Sequence, residues 1–193
     1  MRDPTTFTVH STDSAPAESK LLLESAKNRF GGIPNLYGVL AEAPIAVAAY
    51  DALGSLLMKS SFTATERHVV WFTINAYHDC TYCMAAHTML AKGEKVPEDI
   101  IETARIVGNY EDPRLEALRK FTVTLVENRG WISKEDLKEF IAIGFTGQNV
   151  LEILVAVAHK VLSNYTNHLV ETPLDKGFEK FVWQKPGTQA AAI

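Results

Sequence analysis

One short run, Cys80-Thr-Tyr-Cys83-Met-Ala-Ala-His87, holds both cysteines of the chain and an imidazole four residues after the second. A thiolate is a nucleophile where a thiol is not, and a pair at this spacing can cycle between dithiol and disulfide. If a helix starts at or just after Cys80, Cys83 falls in its first turn. Free N–H groups and the helix dipole favour a thiolate there. His87 then lies one turn further along the same face. It can take a proton from Cys83 or stabilise the thiolate as imidazolium. Cys80 is placed to close the disulfide, and the Tyr82 hydroxyl to donate a hydrogen bond between the two.

Two blander readings compete. His78, Cys80, Cys83 and His87 offer four zinc ligands within ten residues, although structural zinc sites usually bring two pairs from separate elements. Alternatively, both cysteines are buried as small hydrophobes and His87 is a hydrogen-bonded core residue.

The elements that must position this run are helical. Ser19 to Phe30 reads as a first helix stopped by Gly31-Gly32, followed by apolar stretches over Asn35–Leu40 and Pro44–Met58. Pro44 suits a first turn. Thr63-Ala-Thr-Glu66 has capping-box spacing ahead of the apolar run 69–76. A break at His78-Asp79 separates that helix from one running from near Cys80 to Lys92. Further amphipathic helices are expected over 97–107, 113–128 and 133–143. Gln148 to Leu162 is strongly apolar, with Leu151, Leu154, Val155 and Ala158 on one stripe, and a last segment covers Tyr165 to Leu169. Strand alternation is missing, so the predicted fold is all-α. Phe62-Thr63 and Phe145-Thr146 are offset by 83 residues, as are Tyr82 and Tyr165. That echo suggests an internal duplicated helical hairpin of which one copy kept its cysteines.

With 193 residues, 47% hydrophobic and 22% charged, the composition is that of a globular chain. The expected organisation is a single domain over 17–183 between flexible tails, 1–16 and 184–193. A net charge of −4 with no basic cluster argues against nucleic acid. No run reaches membrane-spanning length, and residues 1–16 carry no apolar signal-peptide core. A reducing cytoplasmic location follows as the expectation, and there a CxxC is more often catalytic or metal-binding than structural.

Three stretches carry a family likeness. They are Gly32-Ile-Pro-Asn-Leu-Tyr-Gly-Val-Leu-Ala-Glu-Ala-Pro44, Glu66-Arg-His-Val-Val70 with the CxxCxxxH run, and Asn164-Tyr-Thr-Asn-His-Leu-Val-Glu-Thr-Pro-Leu-Asp175. Together they resemble the AhpD-like, peroxidase-related branch of the carboxymuconolactone decarboxylase superfamily over about residues 28–178. The resemblance implies an AhpD-like helical bundle, a homo-oligomer and a thiol-dependent peroxidase acting on small organic hydroperoxides. Carried over, Cys83 attacks the peroxide, Cys80 resolves the sulfenic acid to a disulfide, and His87 belongs to the proton relay. An external dithiol or protein reductant restores the pair.

Two positions depart from the family. Its relay glutamate lies twelve residues before the first cysteine, where this chain has His68, while Glu66 lies fourteen before. A helix turns about 200° between them, so one at most faces the thiols, and Glu66 already suits the capping box. The second departure is Tyr82, which stands where AhpD has a histidine. His168 and the aromatic residues Tyr37, Phe62, Trp71 and Trp131 remain candidates without assigned roles. No organic cofactor or metal is expected, since no glycine-rich phosphate loop is present. Lactone decarboxylation, which needs no cysteine pair, and a non-enzymatic redox-sensing or metal-binding module are the alternatives.

Overall fold

The computed structural model describes residues 6–187. They form nine α-helices and a terminal 3₁₀ helix, with no strand among the described residues. The helices are α1 (Ala17–Phe30), α2 (Asn35–Leu40), α3 (Pro44–Leu57), α4 (Ala64–Tyr77), α5 (Thr81–Gly93), α6 (Glu98–Arg105), α7 (Pro113–Glu127), α8 (Lys134–Ala142) and α9 (Gly147–Val170). The 3₁₀ helix is Lys176–Phe181. The all-α expectation holds, and most boundaries fall within two residues of those read from the sequence.

Helix α4 is the central element, buried from Glu66 through Ala76. It starts where Thr63 accepts from the Glu66 N–H at 3.2 Å and the Glu66 carboxylate accepts from the Thr63 N–H at 2.9 Å. That is the capping box the sequence announced. One hydrophobic cluster packs α4 against α6, α7, α8 and α9. In it Phe145 stacks on Phe140 at 4.3 Å between ring centroids and meets Phe62 at 6.4 Å. The second cluster gathers α1, α2, α3, α5 and the 3₁₀ helix, and both cysteines lie in it.

Three expectations are corrected. Residues 6–16 pack onto α2 rather than forming a loose tail. The His10 N–H donates to the Gly38 carbonyl at 3.0 Å, and its Nε2 lies 2.9 Å from Glu42. A Cβ at position 38 would stand 2.8 Å from the His10 carbonyl oxygen, so the strap can lie close only against glycine. The remaining tail residues, 1–5 and 188–193, lie outside the described residues.

Second, Gln148–Leu162 and Tyr165–Leu169 belong to one 24-residue helix, α9. Ser163 does not break it because its hydroxyl bonds back to the His159 and Lys160 carbonyls at 3.3 and 3.2 Å.

Third, the duplicated hairpin is not formed. The echo is real at the helix starts, where Thr146 and Asn149 build a second capping box. Yet the first copy bends after α4 and the second runs straight on. No single helix among the described residues is long and apolar enough to cross a membrane.

Candidate active site

The bend between α4 and α5 places the thiols. Asp79 takes a left-handed φ of 57°. The Cys80 N–H returns to the Asn75 carbonyl at 2.9 Å, and the Asp79 N–H to Ala76 at 3.2 Å. This is the paired-bond helix stop that uses a left-handed residue. Because the chain turns there, Cys80 becomes the N-cap of α5 and Cys83 its third residue. Both are free thiols and both are buried.

Their environments differ. The Asn167 side-chain N–H donates to Cys83 Sγ at 3.2 Å and approaches Cys80 Sγ at only 3.8 Å. Burial by itself would raise the Cys83 thiol. A hydrogen bond from Cys80, the Lys160 charge and bonds from Ser163 and Asn164 outweigh it, and the pKa falls from 9.0 to about 5. Cys80 moves the other way: its bond to Cys83 and its own burial hold the proton on it. The pair therefore carries one negative charge, resident on Cys83, with Cys80 as the thiol that donates to it.

The counter-charge is Lys160, whose side chain is fully buried in α9. Its Nζ lies 2.9 Å from His87 Nε2. That contact makes Nε2 the acceptor and puts the ring hydrogen on Nδ1, a buried atom with no partner. Burial, then Lys160, His68 and His159, push the His87 pKa well below 6.5. His87 is thus a neutral imidazole, not the imidazolium the sequence allowed, and no hydrogen bond joins it to either sulfur among the described residues. Lysine supplies the cation instead.

His68 and Glu66 separate as the helix rotation requires. The His68 ring is fully buried, 6.0 Å from His87 and 5.2 Å from Trp71 between centroids. Its Nε2 is 3.6 Å from Glu94. Burial, partly offset by Glu94, takes its pKa to about 4, so it too is neutral near pH 7. Glu66 turns elsewhere: Arg114 Nε donates to it at 2.7 Å, beside the Thr63 cap. Glu66→Gln should therefore cost about 1 kcal/mol of stability in urea denaturation while leaving thiol alkylation rates unchanged. A fall in alkylation at unchanged stability would put Glu66 in the site.

Other candidates find places as well. Tyr82 sends its hydroxyl away from the sulfurs, donating to Asp175 at 2.5 Å and accepting from the Leu36 N–H at 3.2 Å. His78 bonds Asn164 at 3.0 Å. With His87 on Lys160, the four zinc candidates do not converge, and no three metal-ligating side chains do so among the described residues. Trp71 packs on His87 at 4.9 Å, Phe62 sits in the core, and Tyr37 lines an open cleft. Trp131 is 84% exposed and His168 is exposed.

Sequence reasoning missed the whole α9 contribution: Lys160, Ser163, Asn164 and Asn167. A signal was present, since Lys160 is the lone cation in the apolar run 150–162.

Residues 44–123, from the start of α3 into α7, match the carboxymuconolactone decarboxylase family. The match spans the dithiol segment. The matched stretch holds Glu66, His68, Cys80, Cys83 and His87 and stops short of α9. No curated protein gives a significant match to the chain. Among solved structures, an uncharacterized peroxidase-related protein from Ralstonia eutropha JMP134, described as an alkylhydroperoxidase AhpD core, is 20% identical with a TM-score of 0.79. The alignment covers 92% of this chain and 96% of that one. A peroxidase-related protein from Silicibacter sp. TM1040 is 19% identical with a TM-score of 0.76, covering 92% and 95%. The debrominase Bmp8, as a cysteine-to-alanine variant holding 2,3,4-tribromopyrrole, is 13% identical with a TM-score of 0.74, covering 93% and 96%. At such identities the likeness establishes the AhpD-like fold.

Proposed function

We propose that this carboxymuconolactone decarboxylase family member is a thiol-dependent peroxidase for small organic hydroperoxides. The observation that carries the reading is the unequal pair of buried free thiols at the start of α5, where the Asn167 N–H donates to Cys83 at 3.2 Å and lies 3.8 Å from Cys80, the N-cap. The Cys83 thiolate attacks the terminal peroxide oxygen, the O–O bond breaks, and Cys83 becomes a sulfenic acid. The departing alkoxide takes a proton from His87 Nδ1, and His87 Nε2 takes one from Lys160, 2.9 Å away. Cys80 then attacks the sulfenyl sulfur, releasing water and closing the disulfide. An external dithiol returns two electrons and two protons.

The order of roles is testable. In Cys80→Ser the sulfenic acid should persist at Cys83 and be trapped by dimedone, read by peptide mass. In Cys83→Ser no adduct should form at Cys80. Trapping at Cys80 instead would reverse the assignment.

The likeness to a debrominase supports a second reading. A dithiol can equally supply two electrons to an activated carbon–bromine bond, and bromopyrrole turnover without peroxide turnover would favour it. Homo-oligomer formation belongs to the same proposal. The outer face of α9 carries Leu151, Leu154, Tyr165 and Leu169, between 41% and 73% exposed, an apolar stripe that a second copy would cover.

A further inference from the structure

The cysteines are almost sealed, with Cys80 at 0% and Cys83 at 2% exposure, so a substrate must be admitted by the walls around them. One cleft adjoins that region, with a volume of about 280 Å³. It opens beside the loop after α1 and is walled by five rings, Phe30, Tyr37, Tyr50, Tyr82 and Phe178, together with Met89. Two of these reach the thiols' own surroundings. Tyr82 lies between Cys80 and Cys83 in the chain and packs in their hydrophobic cluster. Tyr50 stacks on His159, one residue from Lys160, at 4.4 Å between centroids. Tyr50 also packs against the hydrophobic cluster that contains Cys80, Cys83 and Tyr82.

The carboxylate and two of the three phenols of the cleft, those of Tyr37 and Tyr82, are already engaged. Its one acidic wall residue, Asp175, accepts the Asn35 N–H at 3.0 and 3.2 Å and the Tyr82 hydroxyl at 2.5 Å. The nearby Arg29 guanidinium is held by Asp51 and Tyr37. Among the described residues the cleft wall carries no lysine, arginine or histidine, so a carboxylate tail would enter without a counter-charge and lose its hydration. Aromatic walls around a small void instead suit an uncharged ring. Its volume is roughly nine water-sized groups, close to the nine carbons of a cumyl group.

We propose that the cleft bounded by Phe30, Tyr37, Tyr50, Tyr82 and Phe178 binds the uncharged, ring-sized apolar tail of the hydroperoxide and presents its O–O group past Tyr50 to Cys83. The inference rests on the peroxidase reading and narrows its substrate class. Hydrogen peroxide, with no tail, gains nothing from the cleft. A fatty-acid hydroperoxide is too long and carries a carboxylate that finds no partner.

Ala86 lines the cleft one turn after Cys83 and takes no part in the chemistry. Ala86→Phe should fill the void. Gly177, also lining it, has nothing within 4 Å of an added Cβ, so Gly177→Leu gives a second obstruction independent of α5. The test is the single-turnover rate of thiol oxidation by cumene hydroperoxide and by hydrogen peroxide, with calorimetric binding of 2-phenyl-2-propanol and of decanoate to the reduced protein.

Both variants should slow cumene hydroperoxide about tenfold or more, leave hydrogen peroxide unchanged, and abolish binding of the alcohol. Equal slowing of both peroxides, unchanged discrimination in both variants, or decanoate binding in preference to the alcohol would overturn the cleft assignment. If wild type oxidises with neither peroxide, the peroxidase reading fails. The cleft's preference for an uncharged ring is then decided by alcohol binding alone, upheld if wild type binds it and Ala86→Phe does not, and overturned otherwise.

Discussion

Lys160→Met should leave a folded protein, less stable than wild type at neutral pH, in which Cys83 is no longer a thiolate there. Lys160 is fully buried and its Nζ reaches His87 Nε2 at 2.9 Å. Methionine keeps most of the length and removes the charge. Removing one partner of a buried charge pair costs stability, but Cys83 can take up a proton rather than stay an unpaired buried charge, so the fold should survive and the chemistry should change. Without Lys160 the remaining donors to Cys83 are Asn167, Cys80, Ser163 and Asn164, all uncharged. The thiolate titration, followed by ultraviolet absorbance, should move up by more than about two units. Alkylation by iodoacetamide at pH 6 should then fall by about tenfold or more. An unchanged titration would show that Lys160 is not the counter-charge.

The pH dependence has a definite sign. The Cys83 pKa is depressed in the folded protein, from 9.0 to about 5. Its contribution to stability is therefore fully present above pH 9 and is lost as pH falls through about 5. Wild-type alkylation at Cys83 should be flat from pH 9 down to about 6 and drop below that. The neutral histidines His68 and His87 act in the same direction, since each takes up a proton more readily once the fold opens, so stability falls further as pH drops below about 6.5. The reduced protein should thus lose more stability between pH 9 and pH 5 than the Cys83→Ser variant does, as read by urea denaturation at the two pH values.

Phe145→Ala should be the largest single loss of stability away from the site. Phe145 is 2% exposed, stacked on Phe140 at 4.3 Å and covered by the Arg114 guanidinium at 3.8 Å from its ring centroid. The stack continues to Phe121 at 4.0 Å from Phe140, so the hole left by alanine cannot be closed by one neighbour moving. The expected cost is about 3–5 kcal/mol in chemical denaturation. Because Phe145 belongs to a different hydrophobic cluster from the thiols, the Cys83 titration should not move. A loss below about 1 kcal/mol would mean that the α7–α8–α9 corner contributes little to the core.

Much of this arrangement can be read from local chemistry in the chain. The capping box at Thr63, Pro44 at a first turn and the break at His78-Asp79 each act within a few residues, and each sits where it was expected; the second box, at Thr146 and Asn149, was not foreseen. The placement of Cys80, Cys83 and His87 on one helix start follows from the same local signals. What escaped is the direction in which α9 faces. Periodicity finds its apolar stripe but cannot say which side is inside. Here Leu151, Leu154, Tyr165 and Leu169 look outward, while Lys160, Ser163, Asn164 and Asn167 look inward. The inversion is intelligible only once the thiolate and His87 are known to lie opposite, for they satisfy polar groups that an apolar core would strand. The docking of residues 6–16 escaped for a similar reason. It depends on the close approach at Gly38, over twenty residues away in sequence.

The central claim is that Cys83 and Cys80 form a peroxide-reducing pair. It is tested most directly by stopped-flow mixing of fully reduced, metal-free protein with cumene hydroperoxide while free thiols are counted. The account predicts loss of both thiols per peroxide consumed, far faster than free cysteine reacts, with one alcohol released and a Cys80–Cys83 disulfide formed. Thiol loss no faster than that of free cysteine would contradict it.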